Sequence, residues 1–185
     1  MKSEDLLFAF FIAAFAIDLF YYLFFFARLS FYKAKNLSAN NHTGLTGGPG
    51  ISVVICARNE AENLLEHLPK IFDQQYKNLE VIIVNDCSID ETEDVLRAFK
   101  NKHRHCKIIM LKENDLFIGG KKFALTMGIK AAKNDIVLFT DADCIPASEH
   151  WVKKIAESFS EPQTEIVLGY GAYARENSFL NKLIR

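Results

Sequence analysis

Strand-length apolar runs that each end in a polar or acidic turn constrain this chain more than any other feature. Residues 51–56, 79–84 and 135–140 are such runs, rich in Val and Ile. The first is followed by Ala57-Arg58-Asn59-Glu60, the second by Asn85-Asp86, the last by Asp141-Ala142-Asp143. Between them the apolar residues recur at helical spacing. Residues 59–75 present Leu64, Leu65, Leu68, Ile71 and Phe72 on one face, with Pro69 expected to bend or interrupt the helix. Ser88-Ile89-Asp90-Glu91 reads as a capping box that starts a helix running to about residue 100. Residues 122–133 form a third helical stretch, with Phe123, Leu125, Ile129 and Ala132 inward, and residues 147–159 a fourth. Residues 107–111 and 165–168 are two further strands.

Strands alternating with helices predict an α/β fold, a largely parallel, Rossmann-like sheet flanked by helices. Ligands of such sheets bind beyond the carboxyl ends of the strands. The three polar turns are therefore expected around one crevice.

The chain of 185 residues has room for one such domain. It also carries an apolar stretch over residues 6–26 whose one charge is Asp18. That length suits a helix that crosses a bilayer. Glu4 and Asp5 spoil the basic start of a signal peptide, and no small-x-small site follows, so an uncleaved anchor is expected. Asp18 is taken as a carboxylate that the apolar anchor tolerates, at about 3 kcal/mol on insertion scales. Arg28, Lys33 and Lys35 follow the span against Lys2 before it, which places the following domain in the cytoplasm. The sequons Asn36-Leu37-Ser38 and Asn41-His42-Thr43 would stay unused there. The expected organisation is an anchor over 1–35, a Gly-rich linker over 36–50 and a domain over 51–185.

A net charge of −1 supplies no basic field of the kind nucleic acid requires. Four cysteines without a Cys-x-x-Cys pair read as reduced thiols. His103-Arg104-His105-Cys106 reads as a solvated loop entering a strand rather than a metal site. Gly119-Gly120-Lys121-Lys122 is no P-loop, because Asp115 and Lys122 occupy the positions of its first Gly and its Ser or Thr.

Two carboxylates one residue apart after a buried strand make a small hard-oxygen site. Mg²⁺ and Mn²⁺ suit it, because Mg²⁺ keeps its waters and takes only one or two carboxylates beside substrate phosphates. The motifs of residues 51–60, 81–90, Gly120-Lys121-Lys122-Phe123-Ala124-Leu125 and Thr140-Asp141-Ala142-Asp143, in this order, resemble the signatures of family 2 glycosyltransferases.

The resemblance implies a GT-A fold, a nucleotide-binding half before an acceptor half, over about residues 50–170. It implies that Ala57, Arg58 and Glu60 line the nucleoside. Asp86 would hold the base or ribose, and Lys121 would lie near the diphosphate. Asp141 and Asp143 would bind the metal, Asp143 as the more direct ligand and Asp141 also facing the donor. Thr126 stands where the family usually has Asn.

The implied reaction is metal-dependent, inverting transfer of a sugar from a nucleotide-sugar donor, taken as a UDP-sugar from family habit. The implied acceptor is a lipid-linked or envelope glycan at the membrane. The catalytic base is expected beyond Arg185, with the chain an N-terminal fragment and the rest of the fold missing. Glu149 and Glu161 read as exposed helix or loop residues, and Glu176 is not assigned. The alternatives are a nucleotidyltransferase on a related sheet and an inactive membrane-tethered nucleotide-binding scaffold.

Overall fold

The computed structural model describes residues 3–30, 48–103, 106–112, 120–161, 163–175 and 177–184. The chain divides into two compact units, Met1–Ser38 and Ala39–Arg185.

In the first unit, helix α1 (Ser3–Tyr21) passes through a π-helical turn (Tyr22–Phe26) into the short helix α2 (Ala27–Ser30). Glu4 and Asp5 stand in the first turn and Arg28 in the last, which complements the helix dipole at both ends. The span Glu4–Phe26 has 23 residues and a mean hydropathy of 2.2. At about 1.5 Å per residue it is long and apolar enough to cross a bilayer. Aromatic rings stack four residues apart, Phe20 on Phe24 at 5.3 Å and Tyr21 on Phe25 at 4.9 Å. The Arg28 guanidinium lies 5.7 Å from the Phe24 ring centre. The sequence pattern did not suggest the π-turn. The linker residues 36–47, with both sequons, lie outside the described residues.

The second unit is built on four parallel strands in the order β3-β2-β1-β4. These are β1 (Ile51–Ala57), β2 (Leu79–Asp86), β3 (Cys106–Leu111) and β4 (Ile136–Asp141). The helices are α3 (Ala61–Phe72), α4 (Thr92–Lys102), α5 (Lys121–Ala131), α6 (Trp151–Ser158) and α7 (Phe179–Ile184). Strand alternation sends side chains to both faces. Ile51, Val53, Ile55, Val81 and Ile83 pack with Leu64, Leu68, Ile71, Leu96, Val152 and Ala156. Val54, Ile82 and Val84 pack on the other face with Ala124 of α5. A sheet covered on both faces explains why β1 and the core of β2 read as unbroken apolar runs.

Three local expectations are corrected, and the interruption expected at Pro69 does not occur. Helix α5 turns Ala124 and Gly128 to the sheet and packs Leu125 and Ala132 beside them as expected, while Phe123 and Ile129 are 43% and 48% exposed. The helix lies so close that a Cβ on Gly128 would collide with Val54, so only small residues fit beneath it. Leu65 is exposed, and the buried stripe of α3 runs through Leu64, His67, Leu68 and Ile71 instead. Pro69 sits inside α3 without ending it, three residues before its last residue. Ser88 caps no helix: α4 begins at Thr92, and the Thr92 N–H donates to Asp90 at 3.1 Å.

The fifth strand is absent. Residues 164–175 carry no strand, and Ile166, Leu168 and Tyr170 are largely exposed. Among the described residues no strand pairs with this apolar run, and a run becomes a strand only through a paired backbone. His103 stacks flat on Phe72 at 3.9 Å, while Arg104 and His105 lie outside the described residues.

Candidate functional site

Strand order reverses at β1, whose neighbours are β2 on one side and β4 on the other. Crevices form at the carboxyl ends of strands beside such a switch point. The register sets Asp141 opposite Cys56 and Asn85 opposite Ala57, so the polar ends of three strands meet there. A cavity of about 290 Å³ opens at this edge. Cys56, Ala57, Arg58, Glu60, Asp86, Gly120, Lys121, Asp141, Ala142 and Asp143 line it. All seven residues singled out in the sequence are thus brought together: Ala57, Arg58, Glu60, Asp86, Lys121, Asp141 and Asp143.

The floor is held by hydrogen bonds between loops. Asn59 and Cys87 both adopt φ of 57°, the left-handed region. Asn tolerates it better than most residues, because its side chain bonds locally. Asn59 Oδ1 accepts from the Ile89 N–H at 2.9 Å, and the Asn59 N–H donates to Ser88 Oγ at 2.9 Å. The Glu60 N–H donates to Thr92 Oγ1 at 2.9 Å, and the Ala61 N–H to Asp90 Oδ2 at 3.3 Å. Burial acts to raise the Asp90 carboxyl, but hydrogen bonds from Thr92 and Ala61 outweigh it and hold Asp90 below the usual range. The loops after β1 and β2 therefore brace each other.

Asp86 is only 4% exposed, and both its oxygens accept from the Gly120 N–H, at 3.1 and 3.0 Å. Gly120 has φ of +144°, which a side chain would strain. Its carbonyl accepts from Phe123 and Ala124, so it also starts α5. The N-terminus of α5 faces the cavity through Gly120 and Lys121, an end where the helix dipole favours anions.

The rim is open. Lys121 Nζ lies 2.7 Å from Asp141 Oδ1, with side chains 63% and 54% exposed. The hydrogen bond to Asp141 raises the Lys121 pKa, so the ammonium is charged. Burial pushes the Cys56 thiol up to about 11, so it lines the cavity as a neutral group. Thr126 turns its hydroxyl back on its own helix, to the Lys122 carbonyl at 2.9 Å.

Four carboxylates and two cationic side chains line the cavity. This acidic excess, with hard oxygens at the rim and an ammonium already drawn to Asp141, fits a divalent cation. Among the described residues no three His, Cys, Asp or Glu side chains cluster as a closed metal cage. Mg²⁺ bound beside a substrate phosphate needs no such cage. Sequence reasoning missed Gly120, Ser88 as a brace, and His67, which meets the acidic turn from behind. A histidine on the apolar stripe of α3 was the available signal.

A helix-flanked parallel sheet of this kind is GT-A-like, and comparison with known proteins agrees. The description of glycosyl transferase family 2 matches residues 52–185, and the chain belongs to that family. It is 31% identical over 134 residues to the poly-beta-1,6-N-acetyl-D-glucosamine synthase of Staphylococcus epidermidis, covering 72% of this chain and 31% of the synthase. It is 30% identical to the UDP-Glc:alpha-D-GlcNAc-diphosphoundecaprenol beta-1,3-glucosyltransferase of Escherichia coli, covering 70% of this chain and 48% of that enzyme. Among solved structures, the Pyrobaculum calidifontis mannosyltransferase in complex with GDP-Man and Mn²⁺ matches with a TM-score of 0.65 and 26% identity, over 84% of this chain and 43% of its own. Staphylococcus aureus TarS in complex with UDP-GlcNAc matches with a TM-score of 0.52 and 27% identity, over 60% of this chain and 31% of that one. The chain thus spans about a third of the synthase it resembles.

Proposed function

We propose that residues 51–185 bind a nucleotide-diphospho-sugar and serve metal-dependent, inverting transfer of its sugar to a lipid-linked or envelope glycan acceptor. Residues 1–35 anchor this domain to a membrane, residues 36–50 link the two, and the domain faces the cytoplasm. The observation that carries the reading is the convergence of Asp86, Lys121, Asp141 and Asp143 on one cavity at the switch point of the sheet. Relatives that use lipid-linked or polymeric GlcNAc support the acceptor class, and neighbours that bind UDP-GlcNAc or GDP-Man support the donor class.

Each residue type has a task. Ala57, Arg58 and Glu60 line the nucleoside, with Glu60 steadied by the Asn63 amide at 2.6 Å. Asp86, fixed by the Gly120 N–H, accepts from the base or ribose. Asp141 and Asp143 hold Mg²⁺ or Mn²⁺, Asp143 most directly. A cation held there by Asp141 and Asp143 would supply positive charge to offset the negative charge that grows on the diphosphate as the sugar–oxygen bond breaks. Lys121 and the N-terminus of α5 add positive charge at the same place. The acceptor hydroxyl forms the new bond on the opposite face of the sugar, and its proton goes to a base. The cavity carboxylates are committed to donor and metal, so that base lies outside this set.

Calorimetry with UDP and Mn²⁺ tests the reading. Metal-dependent binding that Asp143→Ala removes is the expected result. A chain that binds UDP equally with and without Mn²⁺, or not at all, overturns it.

A further inference from the structure

Helix α3 reaches the acidic turn from behind. His67 is 6% exposed, and its Nδ1 lies 2.9 Å from the carbonyl oxygen of Ala142, the residue between Asp141 and Asp143. A carbonyl oxygen only accepts, so Nδ1 carries the hydrogen and donates. Seven residues on, just past the end of α3, Gln74 is equally buried. Its Nε2 donates to the Ser148 carbonyl at 2.8 Å, and its Oε1 accepts from the Val152 N–H at 3.1 Å. Beside it the Gln75 N–H donates to the Glu149 carbonyl at 2.8 Å. Helix α3 and the turn that follows it thus grip both ends of the connection from β4 to α6.

The two grips are not alike. Several hydrogen bonds from Gln74 and Gln75 hold the far end, whereas His67 alone among these three residues bonds the acidic turn. The Asp141 and Asp143 side chains are exposed, and their other contacts lie on the open side: Lys121 Nζ donates to Asp141 Oδ1 at 2.7 Å, the Cys144 thiol to Asp143 Oδ1 at 3.5 Å, and the Cys144 N–H to the Asp141 carbonyl at 3.2 Å. Outer groups that orient metal ligands typically cost about 10–100-fold in affinity when removed.

We propose that His67 is a positioning residue: through the Ala142 carbonyl it sets where the Asp141 and Asp143 carboxylates point. This rests on the metal-site reading above, and its test separates the two. An Asn side chain places its amide N–H where histidine has Nδ1, whereas Gln places it nearer Nε2. His67→Leu and His67→Gln should each weaken Mn²⁺-dependent UDP binding by about tenfold. His67→Asn should restore it to within about threefold of the wild type.

A second readout needs no nucleotide. The Cys144 thiol is exposed and donates to Asp143 Oδ1 at 3.5 Å, whereas Cys56 is half-buried and Cys106 buried. Peptide-resolved alkylation of Cys144 in the full chain should speed up about fivefold in His67→Leu and His67→Gln as the turn loosens, and not in His67→Asn. Leu96→Ala destabilises the same core away from the turn and should leave that rate unchanged under native conditions. If His67→Leu does not fold, His67→Gln and His67→Asn carry the comparison. Wild-type rates in both His67→Leu and His67→Gln, or His67→Asn no better than His67→Gln, overturn the proposal. A wild-type chain that binds no Mn²⁺–UDP sinks the transfer reading, and the Cys144 rates then decide the role of His67.

Discussion

The floor and the rim of the cavity are built differently. At the floor, Asp86 is buried and fixed by a backbone amide, and the two neighbouring loops exchange hydrogen bonds. At the rim, Lys121 and Asp141 form an ion pair that water reaches from both sides. Buried polar groups without partners are costly, so the floor must be satisfied before any ligand arrives. An exposed pair contributes only about 0–1 kcal/mol, so it yields easily to a better partner. On the proposed reading the floor would select and the rim would exchange: a diphosphate and a cation would displace little on parting Lys121 from Asp141.

Substitutions test this contrast, the largest effect first. Gly120→Val places a β-branched residue at φ of +144° and pulls the amide from Asp86, and should cost about 3 kcal/mol in a urea titration. A loss under about 1 kcal/mol would show that the floor rearranges freely. Asn59→Ala removes the acceptor for the Ile89 N–H and leaves Ala in the left-handed region, and should cost about 1–2 kcal/mol.

Acid should loosen the same brace. Asp90 has its pKa lowered in the folded state, so its contribution is complete above the unfolded value of about 4 and fades as pH falls through the folded one. Hydrogen exchange at the Ala61 and Thr92 amides should rise over that window relative to the Asp90→Asn variant. Least of all, Lys121→Met should change stability by under about 0.5 kcal/mol, yet weaken nucleotide-diphosphate binding about tenfold. Equal losses of binding to UDP and to uridine would remove Lys121 from the diphosphate.

Much of this was legible in the residues. Val53, Val54, Ile82, Ile83 and Val84 are β-branched and uninterrupted because both faces of their strands are covered, and that pattern survives in the letters. The acidic turns were legible because a polar residue directly after such a run sits at the sheet's edge. The α5 face was not. Phe123 and Ile129 are strongly apolar, but the helix meets the sheet through buried Ala124 and Gly128, with Leu125 and Ala132 packed partly buried beside them. Hydrophobicity does not encode that distance. His67 escaped for a related reason: its place on the apolar stripe of α3 was the local signal, but its partner is a backbone carbonyl 75 positions away, which no local pattern names.

Local chemistry alone determined the order of strands and helices, the acids that end β2 and β4, and the apolar helix at the start. Backbone periodicity and side-chain burial act over a few residues, so they can be read along the chain. Only the tertiary structure decided which face of α5 meets the sheet, that residues 164–175 form no strand, and that α3 holds the turn bearing Asp141 and Asp143. Those outcomes depend on distances between segments remote in sequence, which packing sets and no local pattern records.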